Sequence, residues 1–169
     1  MGGKAGKSMT AQEVMEALGL EPLEGEGGLY RQTYQSGETP RPMATAIYYM
    51  LTPDTFSHLH RLDADEMYHF YLGDAVELCE LMPDGSSCVT ELGPDLARGQ
   101  QVQHLVKAGT WQGSRLKAGG AWALLGTTMS PGYEQSGYEH GDRALLSREY
   151  PARAVQIAAL TNETAENQK

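Results

Sequence analysis

Two histidines spaced two apart, His58 and His60, followed after a short polar stretch by Glu66, form the densest set of reactive side chains in this chain. They lie in FSHLHRLDADEMYHFYLG, residues 56–73, which holds three of the five histidines. Two imidazoles and a carboxylate suit a divalent metal with open coordination positions. The same groups suit proton transfer, because imidazole titrates near neutrality and a neighbouring carboxylate, Glu66 or Asp63, can orient and charge it. A general base needs a proton donor opposite, and Tyr48, Tyr68 and Tyr133 are candidates. A satisfied interior polar cluster is the alternative to catalysis.

Positioning these groups falls to short β-rich runs. On a strand, side chains two apart leave the same face, so His58 and His60 are expected to point together. If Glu66 faces inward, Tyr68 and Phe70 follow it, while Met67, His69 and Tyr71 line the other side; His69 is expected in an intersheet or subunit contact. On LYRQTYQS, Arg31 and Thr33 share one face and Tyr30, Gln32 and Tyr34 the other. Arg31 is expected as an anion anchor by virtue of its planar fork, with a solvated edge-strand arginine as the alternative, and Thr33 is expected to join it as a ligand contact.

The runs ATAIYYML, FSHLH, EMYHFYL, AVELCELM, SCVTEL, QQVQHLV, TWQGSRL and AWALLGTTM follow, separated by turn residues such as Thr-Pro-Asp, Pro-Asp-Gly and Ala-Gly-Gly. Their regular spacing predicts an all-β sandwich or jelly-roll barrel. A helix is expected from Thr10, where Thr10-x-x-Glu13 is a capping box, Met9 and Val14 form a staple, and Gly19 ends the element. DRALLSREYP and VQIAALT predict short C-terminal helices. Residues 1–9 read as a flexible arm, 10–161 as one domain and 162–169 as a disordered tail.

At 169 residues, 40% hydrophobic and 21% charged, the chain has the composition of a soluble globular domain. A net charge of −9 argues against a nucleic-acid partner. With no long apolar run and no signal-peptide core, a cytoplasmic location off the membrane is expected. Cys79 and Cys88 flank the turn MPDGS and are expected to be reduced thiols, although a hairpin would place them close enough for a disulfide.

The spacing of His58, His60, Glu66 and Gly73 resembles the first motif of the cupin superfamily, and Lys107-Ala-Gly-Thr-Trp-Gln112 resembles the second, with Gln112 where a metal-binding histidine usually stands. GGLYRQTYQS, ATAIYYMLTP, DEMYHFYLGD, LGPDLARGQ, AGTWQ, MSPGYE and RALLSREYP, in that order, are similar to the fifth cupin family, catalogued mostly as a domain of unknown function. The resemblance implies a cupin double-stranded β-helix with an N-terminal helix and short C-terminal helices, and a homodimer. It places weight on His60, since the position of His58 varies in that family. Metal-free cupins that epimerise nucleotide sugars use a histidine base and a tyrosine acid. The leading expectation is therefore a metal-free isomerase or epimerase for a sugar or nucleoside-diphosphate ligand, requiring no cofactor. His60 and Glu66 would be catalytic, and Arg31, Thr33, Tyr48, Tyr68, Phe70, Gln112 and Tyr133 would bind ligand. A non-catalytic nucleotide- or small-molecule-binding module is the competing class. The other alternative is a divalent-metal enzyme using His58, His60 and Glu66.

Overall fold

The structure is a computed structural model that describes residues 9–37 and 40–162. The expected arm through residue 8 and the tail from residue 163 lie outside the described residues.

Helix α1, Ala11–Leu18, begins where the capping box predicts: Thr10 accepts from the Glu13 N–H, and the Glu13 side chain accepts from the Thr10 N–H. Gly19 ends it in the left-handed conformation that a Cβ disfavours. Among the described residues eleven strands follow: β1 (Glu21–Pro22), β2 (Leu29–Ser36), β3 (Ala44–Leu51), β4 (Phe56–Leu62), β5 (Glu66–Gly73), β6 (Val76–Leu81), β7 (Ser87–Leu92), β8 (Gln103–Val106), β9 (Trp111–Leu116), β10 (Ala123–Met129) and β11 (Tyr138–His140). Asp142 caps α2, Arg143–Glu149, and α3 spans Ala154–Ala159 after a single 3₁₀ turn at Pro151–Arg153. No helix among the described residues is long and apolar enough to cross a membrane.

The strands make two antiparallel sheets, ordered β1-β2-β3-β10-β5-β8 and β11-β4-β9-β6-β7. Consecutive strands often sit in different sheets, as β3 and β4 do, which gives the jelly-roll crossing pattern. Among the described residues four apolar clusters form, and three of them hold the layers together. Leu51, Tyr68, Leu78, Leu92 and Leu125 are among those closing the interior. Leu59, Leu81, Trp111, Leu146, Tyr150 and Ile157 seat α2 and α3 on the outside of the five-stranded sheet. Val14, Leu29, Met50 and Leu124 seat α1 on the outside of the six-stranded sheet. Both sheets therefore bury apolar side chains on both faces.

Cys79 pairs with Val89 and Cys88 with Glu80, so the two thiols leave opposite faces of the hairpin and both are free. Cys79 belongs to the outer cluster, whereas Cys88 lies against the Glu80 carboxylate on the inner side.

Candidate active site

The site is built on an irregularity in β4. Its ladder with β9 pairs Ser57 with Ser114 and His60 with Gln112, so three steps on β4 match two on β9. This β-bulge breaks the alternation on which the two-apart expectation rests. Ser57 and His60, three apart, both turn inward and both reach the carboxylate of Glu26. Ser57 Oγ donates to Glu26 Oε1 at 2.9 Å, and His60 Nε2 lies 3.9 Å from the same oxygen. His58 instead faces the C-terminal segment, its ring stacked on His140 at 3.7 Å.

Hydrogen bonding fixes both rings. His60 Nδ1 donates to the main-chain oxygen of His58 at 2.7 Å. A carbonyl can only accept, so the proton of neutral His60 sits on Nδ1 and the Nε2 lone pair faces the cavity. Tyr138 stacks on the His60 ring at 5.1 Å. His58 Nδ1 donates to the Leu59 carbonyl, and its Nε2 accepts the Asn162 N–H.

Glu66 enters from the other sheet at the start of β5. Its carboxylate accepts from Gln112 Nε2 at 2.8 Å. Burial pushes its pKa above the ordinary value, against the pull of His60, while the nearby Glu26 raises it further; Thr127 and Gln112 hydrogen bonds pull it down. The hydroxyls of Tyr49 and Tyr68 are likewise driven up, chiefly by burial, and stay protonated at neutral pH.

These groups border a cavity of about 230 Å³. Tyr30 and Gln32 of β2, Ile47 and Tyr49 of β3, Thr127 of β10, and Tyr133 and Gln135 of the loop before β11 complete much of its wall. The lining includes two carboxyl groups, Glu26 and Glu66, and, among the described residues, no lysine or arginine.

The expected site residues divide. His60, Glu66, Tyr68 and Tyr133 line the cavity, and Gln112 braces Glu66 from behind. Phe70 packs into the interior core beside Tyr68. Arg31, Thr33 and Tyr48 are on the outer side of their sheet. Arg31 lies over the Tyr48 ring at 5.6 Å, and Thr33 donates to the Ala46 carbonyl. The two faces of β2 and β3 are thus reversed relative to expectation, with Tyr30, Gln32 and Tyr49 inward. β5 follows its expected alternation, and outward-facing His69 bonds Thr128 and Gln103 on the outer face of its own sheet.

The expected metal set is not assembled. His58 leaves by the other face of β4, both its ring nitrogens are engaged, and Gln112 turns its amide N–H toward Glu66 instead of an oxygen toward a cation. Among the described residues no three His, Cys, Asp or Glu side chains are placed to hold an ion. The donor set present does not fit a cupin metal centre.

Glu26 is the residue that sequence reasoning missed. It stands in the EGEGG segment between β1 and β2, and its carbonyl accepts the His58 N–H at 2.7 Å. The two following glycines are its signal. A Cβ on Gly27 would lie 2.3 Å from the Phe56 carbonyl oxygen, and one on Gly28 2.4 Å from the Tyr49 hydroxyl. Both have positive φ, and only glycine lets the loop press this closely against the barrel.

Comparison with known proteins agrees with this architecture. A family model described as "Cupin superfamily (DUF985)" matches residues 12–141. The crystal structure of a protein from Shewanella oneidensis superposes with a TM-score of 0.86 at 31% identity, covering 93% of this chain and all of that one. A hypothetical protein from Leishmania major gives 0.85 at 28% identity, with 92% and 100% coverage. Bacillus subtilis oxalate decarboxylase, at 11% identity and a TM-score of 0.54, covers 83% of this chain and 37% of its own length, and shares the fold alone. No curated protein matches the chain. On the family match and the Shewanella structure together, the chain belongs to the cupin superfamily, within the family described as DUF985.

Proposed function

We propose that this protein is a metal-independent acid–base enzyme that moves a proton on a small, uncharged, sugar-like carbonyl compound, as an isomerase or epimerase. The observation that carries the reading is His60: its Nδ1 is anchored on a carbonyl, and its Nε2 faces the cavity with a carboxylate 3.9 Å away. That is the arrangement of a general base whose protonated form is stabilised as it appears. Glu66, kept toward its neutral form by burial, is the matching acid. In the step envisaged, His60 Nε2 takes the proton from the carbon beside the substrate carbonyl while Glu66 donates its own to the carbonyl oxygen. Isomerisation is completed when His60 returns the proton to the former carbonyl carbon while Glu66 takes the proton from the neighbouring enediol hydroxyl, which becomes the new carbonyl. Epimerisation requires instead that the original carbon be reprotonated on its opposite face, by solvent, as Glu66 takes back the enol proton.

The wall favours the sugar side of the expectation over the diphosphate side. Tyrosine hydroxyls, Gln32, Gln135 and Thr127 offer donors and acceptors to hydroxyl groups, whereas the Glu26 carboxylate, with no lysine or arginine lining the cavity among the described residues, repels phosphate. At about 230 Å³ the cavity lies below the roughly 300–1,000 Å³ of drug-sized sites, which suits a single sugar unit.

The test is solvent exchange. Neutral aldoses and ketoses are incubated with the protein in D₂O and followed by proton NMR for deuterium at the carbon beside the carbonyl. Exchange that survives EDTA and is lost in His60→Ala is expected. Sugars that raise the melting temperature without exchanging would make the pocket a binding site only. Exchange lost with EDTA and restored by a divalent cation would replace the metal-independent mechanism.

A further inference from the structure

We infer that His58 is a positioning residue that holds both His60 and Glu26 in working geometry, an inference that rests on the acid–base reading of the cavity. All four of its polar groups are committed. The N–H donates to the Glu26 carbonyl at 2.7 Å, and the C=O accepts from His60 Nδ1 at 2.7 Å. The ring Nδ1 donates to the Leu59 carbonyl at 2.9 Å, and the ring Nε2 accepts the Asn162 N–H at 3.2 Å. Main chain at one residue thus places the base and the carboxylate beside it, while the side chain of that residue is clamped from outside the barrel.

The clamp is the segment after α3. Leu160 accepts the Leu59 N–H at 2.8 Å. Arg143 holds the same segment through Thr161 Oγ1 at 2.8 Å and the Ala158 carbonyl at 3.0 Å. A β-bulge forfeits ladder bonds and can relax toward regular pairing, which would carry His60 round the strand. Here Leu160 takes the Leu59 N–H on the outside and Glu26 the His58 N–H on the inside, while Asn162 holds the His58 ring. The His58 imidazole is suited to this link because neutral Nδ1–H imidazole offers one donor and one acceptor at opposite ends of a rigid ring.

The two readouts are the tautomer of His60, from long-range ¹H–¹⁵N NMR of the imidazole, and kcat and KM in the exchange assay. His58→Phe keeps a ring for stacking on His140 but has no polar atom, and Asn162→Pro deletes the clamping N–H without touching any cavity side chain. In both, His60 is expected to shift from the Nδ1–H form to a mixture. The kcat is expected to fall about 10²-fold, the scale of a small misplacement of a catalytic group, with KM changing far less. His58→Gln, which retains a donor and an acceptor, should recover most of both. If His58→Phe does not fold, Asn162→Pro answers through the same measurements. An unmoved tautomer and kcat in the folded variants would overturn the inference. A tautomer shift in a protein that exchanges no sugar would uphold the positioning role and discard the sugar reading alone.

Discussion

The inner and outer faces of β4 each carry a histidine and use it for opposite purposes. Inward, Ser57 and His60 meet a carboxylate at the edge of a cavity. Outward, His58 and Leu59 are fastened to the C-terminal segment, with Leu59 in the apolar cluster beneath α2 and α3. His60 keeps one ring nitrogen free for chemistry; His58 has none to spare. What separates two imidazoles two residues apart is one extra residue in the ladder, so the assignment of function is made by backbone geometry before any side-chain chemistry enters.

The largest expected effect tests that division directly. His60→Ala should lower kcat about 10²–10⁴-fold, the usual contribution of a positioned general base. His69→Ala, on the outer face of β5 where it bonds Thr128 and Gln103, should leave kcat near wild type. An equal loss from both would show that the two faces act as one unit.

Glu66→Gln sharpens the inner face. Turnover should fall about 10²-fold because the amide cannot give up a proton. Stability should move the other way. Burial raises the Glu66 pKa above its unfolded value, so its contribution is full at low pH and is lost as pH rises through the folded pKa. Gln carries no such loss, and melting curves from pH 5 to 8 should show the variant gaining on the wild type as pH increases.

Much of the scaffold was legible because local chemistry decided it. The capping box at Thr10, the stop at Gly19 and the strand at Leu29–Ser36 appear as the sequence implies. Facing was legible for β5, whose outward side is polar at His69, but not for β2 and β3. There α1 covers the outer side, so Tyr48 and Met50 are apolar outward just as Tyr49 and Leu51 are apolar inward. Periodicity cannot choose between two buried faces. The bulge was invisible for a different reason: it is a property of β4 paired with β9, and no single strand states its register. Glu26 was hidden because a loop carboxylate becomes informative only when Gly27 and Gly28 are seen pressed against β4 and β3.

That loop supplies the next test of the inner face. Gly27→Ala combines a left-handed backbone, φ 94°, with a Cβ only 2.3 Å from the Phe56 carbonyl oxygen. Urea unfolding should show a loss of about 1–3 kcal/mol. Gly25→Ala has a similar φ of 81° but nothing within 4 Å, so it isolates backbone strain and should cost less. Equal losses would mean that close approach of the Glu26 loop to β4 is not what requires glycine.

The smallest effect belongs to the outer face and concerns acid. Burial lowers the pKa of His58 below its usual value near 6.5; its bond to Leu59 opposes the shift, and the nearby His140, His60 and Arg143 add to it. The unfolded chain therefore takes up this proton first. The stabilisation is present above the unfolded pKa and is lost as pH falls through the folded one. Protonation also removes the lone pair that accepts the Asn162 N–H and sets two cations face to face with His140 if that ring charges as well. His69 and His140, both lowered chiefly by burial, add to the same limb, so one substitution should reduce its slope without abolishing it. Urea midpoints measured from pH 7.5 to 5 should fall less steeply for His58→Gln than for wild type, with curves converging toward acid. Parallel curves would place the acid sensitivity elsewhere and leave His58 a purely geometric link.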